Sequence, residues 1–176
     1  MIHVQDKEFG IFLTQAQIQE RISMLATSIN TAYNGTKITF VVVLSGAFMF
    51  ASDLLKKIQV DCEVFFIKVK SYEGMTSTGK ATEVIGLTTD ISEKDVIIIE
   101  DIVDTGMTID NIIALFSEKQ CKSIKVVSLL FKPDAFKGKN KPNYVGFDIE
   151  NKFVVGYGLD YDEYGRNLDA IYQLNE

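Results

Sequence analysis

Apolar residues fall into two rhythms along this chain, and the alternation between them predicts its architecture. Thr14-Gln15-Ala16-Gln17 reads as a capping box, followed by Ile18, Ile22, Leu25 and Ile29 on one helical stripe until Asn34-Gly35 ends it. Ile38 to Leu44 reads as a buried strand, and Ser45-Gly46 turns into a second helix carrying Phe48, Leu54, Leu55 and Ile58. Cys62 to Val69 is another strand. Tyr72 to Thr82 is polar, rich in glycine and threonine and without period, as expected of a mobile loop that serves as a lid. Val96 to Ile99 is apolar without alternation, which suits a strand covered on both faces. Its helix places Ile109, Ile112, Ile113 and Phe116 inward, and Ile124 to Phe131 forms a further strand. From Lys132 onward the pattern breaks into short strands and turns, expected to form a small cap. The fold class is therefore α/β, a mostly parallel central sheet flanked by helices, with ligands at the carboxyl ends of the strands.

Composition narrows the function. A chain of 176 residues with 47% apolar content is expected to form a single domain over residues 1–176, the cap coming mainly from about 132–176. There is no apolar run of membrane-spanning length and no basic N-terminal region leading into an apolar stretch, so the expected location is cytoplasmic. Cys62 and Cys121 are isolated, which favours reduced thiols over a disulfide or zinc site. His3 is the only histidine and lies near the terminus, which disfavours histidine-based catalysis. A net charge of −6 argues against nucleic-acid binding.

The candidate chemistry concentrates where the apolar strand stops. Glu100-Asp101 closes the run, and Asp104-Thr105-Gly106-Met107-Thr108 follows before a helix. Backbone N–H groups and the helix dipole favour an anion such as phosphate at such a place. Acids beside a phosphate cradle suit a ligand with both a phosphate and a polyol or metal, such as a ribose 5-phosphate. A second stretch, Gly74 to Lys80, matches most of a P-loop but fails as one. Ala81 stands where magnesium needs a hydroxyl, and Thr82 to Gly86 reads as strand rather than helix.

The string from Val96 to Thr108 resembles the phosphoribosyl pyrophosphate (PRPP) motif of type I phosphoribosyltransferases. Leu44-Ser45-Gly46-Ala47 is similar to that family's pyrophosphate loop, and Ser71-Tyr72 to the pair opening the lid of its hypoxanthine-guanine branch. Ser128 to Lys132 and Lys152 to Tyr161 resemble the purine-binding segments of that branch, with Arg166 following at the corresponding place. The similarity runs from about Phe40 to Arg166.

The resemblance implies the type I phosphoribosyltransferase fold, with a C-terminal hood, and a role for each matched residue. Glu100 and Asp101 would hold the ribose hydroxyls directly or through Mg²⁺, the implied cofactor, with Asp160 helping to organise a second ion or meeting the purine 2-amino group. Thr105, Gly106, Met107 and Thr108 would wrap the 5-phosphate, and Met107 departs from the lysine often found there. Asp104 would be the general base beside the purine, although an aspartate there can also cap the helix. Lys132 would donate to a 6-oxo group, Phe153 would stack on the base and Val154 would offer backbone hydrogen bonds. Ser45, Gly46 and Arg166 would meet pyrophosphate, with a non-proline cis peptide at Ser45-Gly46, and Ser71-Tyr72 would belong to the lid. On the residues alone the plainer alternatives are core packing for Phe153, a solvated charge for Lys132 and a surface ion pair for Asp160 and Arg166.

The implied reaction converts hypoxanthine or guanine plus PRPP to the nucleotide and pyrophosphate. The partners are these small molecules, not nucleic acid or membrane, with association into homodimers or homotetramers expected. Two alternatives stay open: a PRPP-binding regulator of the same fold, and a phosphoribosyltransferase for another base such as xanthine or adenine.

Overall fold

Two adjacent strands, β3 (Ile38–Leu44) and β6 (Asp95–Val103), lie at the centre of the larger of two sheets in this computed structural model, which describes residues 1–72, 81–87 and 89–175. β4 (Cys62–Tyr72) runs parallel to β3 on one side, and β7 (Ser123–Phe131) and β8 (Tyr144–Asp148) continue the parallel array on the other. An antiparallel edge strand, β5 (Ala81–Ile85), closes the order β5-β4-β3-β6-β7-β8. The absence of alternation in the apolar runs now has its cause. Phe40, Val42, Ile97 and Ile99 pack on one face with α1 (Gln15–Ala32) and α2 (Phe48–Leu55). Val41, Val43, Val96 and Ile98 pack on the other with Ile109, Ile112 and Phe116 of α3 (Met107–Ser117).

The chain leaves β3 through α2 toward β4, and leaves β6 through α3 toward β7, so the two connections diverge from neighbouring strands. Such a divergence opens a crevice at the carboxyl ends of the strands, where α/β sheets bind ligands. The Thr14 capping box forms as expected, its hydroxyl accepting from the Gln17 N–H and the Gln17 side chain accepting from the Thr14 N–H.

Two expectations need correction, and a third gains a part. β6 does not stop at Ile99: Glu100, Ile102 and Val103 stay paired with Ser128, Leu130 and Phe131 of β7, so the carboxylates lie within the strand. Only the β3 side of the pairing ends at Ile99. α2 ends at Leu55, leaving Ile58 in the following turn, and Phe48 is largely exposed while Phe50 and Leu54 form the buried stripe. The cap expected mainly from about 132–176 also takes in the first strands of the chain. β8 belongs to the large sheet, and a separate antiparallel sheet of order β1-β2-β10-β9 joins β1 (Ile2–Val4) and β2 (Lys7–Leu13) to β9 (Val154–Val155) and β10 (Ile171–Leu174). Phe9, Val4 and Val155 supply its core. Among the described residues no helix is long and apolar enough to cross a membrane.

Candidate active site

Among the described residues, two of the four buried polar side chains, Glu100 and Lys132, lie at the carboxyl end of the sheet beside the crevice. Glu100 sits on β6 opposite Ser128, and its Oε2 has no hydrogen-bond partner among the described residues. Burial, reinforced by the adjacent Asp101 carboxylate, pushes Glu100 well above the usual carboxylate range. Burial also raises Asp101, against the pull of hydrogen bonds from Glu100 and the Ile102 N–H. A buried oxygen without a partner is costly, so this pair is built to meet a cation or hydroxyls rather than to stabilise the fold. Hard oxygen donors of this kind fit Mg²⁺. No group of three or more His, Cys, Asp or Glu gathers among the described residues, so a metal here would take its remaining oxygens from substrate and water. Asp160 does not join Glu100 and Asp101 in a cluster, because its carboxylate is held 2.8 Å from Arg166 and accepts the Glu163 N–H.

Next along the chain comes the anion cradle. Gly106 begins α3 as its N-cap with φ +84°, a conformation glycine adopts freely, and a Cβ there would sit 2.4 Å from the Phe136 ring. The N–H groups of Met107, Thr108 and Ile109 thus open the helix without acceptors inside it. Thr105, Met107 and Thr108 are exposed, and the Lys137 N–H holds the Thr105 carbonyl at 3.0 Å from behind. A pocket of about 110 Å³ is lined by Glu100, Asp104, Thr105, Gly106 and Thr108. Asp104 does not cap the helix: no side chain caps α3, and Asp104 instead faces Lys132, whose Nζ lies 3.2 Å away.

Lys132 follows β7 and is no solvated charge. Its side chain is 9% exposed, and besides Asp104 it reaches the Asn151 side-chain oxygen at 3.5 Å. Phe153 is 44% exposed, so it is not core; it rests on buried Phe9 and stands edge-on to Tyr161 at 5.8 Å. β9 is an edge strand. The Leu174 N–H bonds the Phe153 carbonyl, and by antiparallel alternation the backbone groups of Val154 point away from β10 toward the open edge.

The Ser45-Gly46 loop closes the crevice from the β3 side. The cis peptide bond lies between Leu44 and Ser45, one bond earlier than expected; the run of small residues after β3 carries no signal that distinguishes adjacent bonds. Gly46 lies directly against Asp101, and a Cβ on it would fall 1.6 Å from that carboxylate. Gly158 in turn abuts Gly46, its would-be Cβ 2.0 Å from the Gly46 carbonyl oxygen. Arg166 donates to the Gly158 carbonyl at 2.9 Å, pairs with Asp160 and Glu163, and lies close enough to lower Asp101 through its charge. Ser71 and Tyr72 end β4, paired with Thr82 and Ala81; the loop expected behind them lies outside the described residues. β5 occupies the place where a P-loop would need a helix.

The crevice therefore gathers Ser45, Gly46, Glu100, Asp101, Asp104 to Thr108, Lys132, Phe153, Val154 and Arg166 around one end of the sheet. Sequence reasoning missed Asn151, Phe9 and Phe136, which support the site without belonging to any motif, and gave Tyr161 of the Lys152–Tyr161 segment no role. A larger cavity of about 520 Å³ lies at the opposite, amino ends of the strands, where Lys94 pairs with Glu63 and Lys122 with Asp95.

Known proteins share this arrangement. A family model described as a phosphoribosyl transferase domain matches residues 11–162. The hypoxanthine-guanine phosphoribosyltransferase of Bacillus subtilis is 39% identical over 162 residues, covering 92% of this chain and 90% of that one. Its Staphylococcus aureus counterpart is 41% identical with the same coverage. A crystal structure of a hypoxanthine phosphoribosyltransferase from Staphylococcus aureus superposes with a TM-score of 0.89 at 38% identity, over 97% of this chain and 92% of that one. With its acidic strand end, its glycine-opened anion cradle and these relatives, the chain belongs to the type I phosphoribosyltransferase family, in the hypoxanthine-guanine branch.

Proposed function

We propose that the protein transfers the 5-phosphoribosyl group of PRPP to hypoxanthine or guanine, releasing pyrophosphate. The observation that carries this reading is the buried Lys132 paired with half-exposed Asp104 at the edge of the anion cradle, which places a donor and a base side by side at one rim of the crevice.

The purine would lie on the exposed face of Phe153, its edge meeting the outward backbone of Val154. Lys132 would donate to the 6-oxo group. Adenine offers an amino donor at that position, which would leave the lysine without an acceptor, and a site built on such a hydrogen bond discriminates strongly. Thr105 to Thr108 would hold the 5-phosphate by hydroxyls and backbone N–H groups, so the missing cation at Met107 affects affinity rather than chemistry. Glu100 and Asp101 would fix the ribose hydroxyls and hold Mg²⁺, which when bound neutralises pyrophosphate charge and eases its departure. Ser45, Gly46 and Arg166 would receive the pyrophosphate. In the transfer, the bond between C1 and the pyrophosphate oxygen breaks, the purine nitrogen bonds to C1, and the displaced purine proton passes toward Asp104. Positive charge grows on the ribose as the leaving group departs, so orientation and electrostatics supply most of the acceleration.

The test is an ultraviolet assay with PRPP and Mg²⁺, offering hypoxanthine, guanine, xanthine, adenine and orotate in parallel. Turnover of 6-oxopurines alone is the expected result. Turnover of adenine or orotate would remove Lys132 from the specificity argument, and PRPP binding without any turnover would favour a PRPP-sensing regulator.

A further inference from the structure

One buried hydroxyl ties the purine-facing segment to the helix behind the pyrophosphate loop. Tyr157 lies two residues beyond β9 with φ +51°, between Gly156 and Gly158, which also have positive φ. Its ring is 2% exposed and packs in the core with residues of α1 and α2. The hydroxyl donates to Oδ2 of Asp53 on α2, and the same oxygen accepts from Gln19 on α1. Lys56 meets the other carboxylate oxygen of Asp53 at 2.6 Å. Burial and the Asp53 carboxylate push the Tyr157 hydroxyl far up, which keeps it a donor.

We propose that the Tyr157–Asp53 bond is a positioning contact for phosphoribosyl transfer, setting the purine-binding segment in register with the Ser45-Gly46 loop. This rests on the transferase reading above and assigns residues that touch neither substrate. The path is short and closely packed. Gly158, next after Tyr157, presses on the Gly46 carbonyl, and Gly46 presses on the Asp101 carboxylate. Arg166 grips the Gly158 peptide from both sides, donating to its carbonyl and accepting its N–H through its own backbone oxygen. α2 emerges from the same loop, so Asp53 holds the far end of the segment whose near end is Gly46. A phenylalanine and an apolar partner would fill this space without desolvating a carboxylate. A part-buried polar pair adds direction instead, fixing one arrangement among several of similar packing.

The experiment compares Tyr157→Phe, Asp53→Asn, Asp53→Ala and the double variant Tyr157→Phe/Asp53→Ala in steady-state kinetics, with thermal unfolding alongside. Tyr157→Phe is expected to raise the KM for PRPP about tenfold, the effect of one hydrogen bond to a charged group, with kcat changed by less than about threefold. Asp53→Asn keeps an acceptor for the hydroxyl and should hold the KM for PRPP within about threefold of the unaltered protein. Asp53→Ala should raise the KM for PRPP at least as far as Tyr157→Phe, since it also releases Gln19 and Lys56, and the double variant should be no worse than Asp53→Ala, in which the Tyr157 contact is already lost. A KM for PRPP unchanged in folded Tyr157→Phe, a loss of thermal stability alone, or additive losses in the double variant would overturn the proposal. If Asp53→Ala does not fold, Tyr157→Phe against Asp53→Asn decides the matter. Should the unaltered protein bind PRPP but turn over no base, the reading of the reaction fails. Weakened PRPP binding in Tyr157→Phe would still support the positioning contact.

Discussion

Asp104 shows how a residue's neighbours separate two roles that its type allows. An aspartate at the start of a helix is a good cap, yet α3 begins at Gly106 with no side-chain cap, which leaves the Asp104 carboxylate free to face Lys132. Lys132 is buried, so its charge needs that partner in the free protein. Asp104→Asn keeps the shape and removes the charge. Turnover is expected to fall by about 10²–10⁴-fold, the usual worth of a general base. Unfolding temperature should fall slightly, since Lys132 is left with neutral acceptors. Single-turnover kinetics beside thermal unfolding would check both, and near-normal turnover would remove Asp104 from the mechanism. The candidate site residues were legible because charged and hydroxyl side chains interrupt apolar runs at fixed spacing. Asn151, Phe9 and Phe136 were not, because each looks like an ordinary loop or core residue until the fold sets it beside Lys132, Phe153 or Gly106.

At the scale of elements, periodicity located the buried strands and the α1 capping box closely but misplaced one functional end. Glu100 and Asp101 look like the end of β6 because charged residues normally end a buried run. The strand continues through them because Glu100, Ile102 and Val103 keep their partners on β7, while the pairing of β6 with β3 ends at Ile99. That one-sided pairing opens space beside the carboxylates. The turn into α3 is equally constrained. Gly106→Ala would force a side chain into a left-handed conformation and against the Phe136 ring. It should lower stability by about 1 kcal/mol or more and weaken PRPP binding, leaving purine binding in the absence of PRPP unaffected. Calorimetric titration of PRPP and of hypoxanthine separately would test this, and equal PRPP affinity in both proteins would show that the cradle tolerates distortion.

Across the whole molecule, the least legible feature was the small sheet, because its strands come from opposite ends of the chain. β2 carries no clean alternation: Phe9 and Leu13 are buried, whereas Ile11 and Phe12 are exposed, and the pairing with β10 shifts register near Leu13. Such a strand acquires meaning only from its partner. Its consequence for function is that Phe9, near the amino terminus, lies beneath Phe153, with ring centroids 6.2 Å apart, while Tyr161 touches both. The proposed purine platform therefore depends on the first strands as well as on the segment that carries Phe153. Phe9→Leu keeps most of the buried volume but removes the aromatic face that supports the platform. The KM for hypoxanthine should rise severalfold, by about the factor that 0.5–1.5 kcal/mol implies. The KM for PRPP should change far less, since the anion cradle opens α3 and the Ser45-Gly46 loop follows β3, both outside the small sheet. A parallel rise in both constants would mean that the small sheet governs the whole crevice, and an unchanged purine KM would mean that Phe153 stands without Phe9.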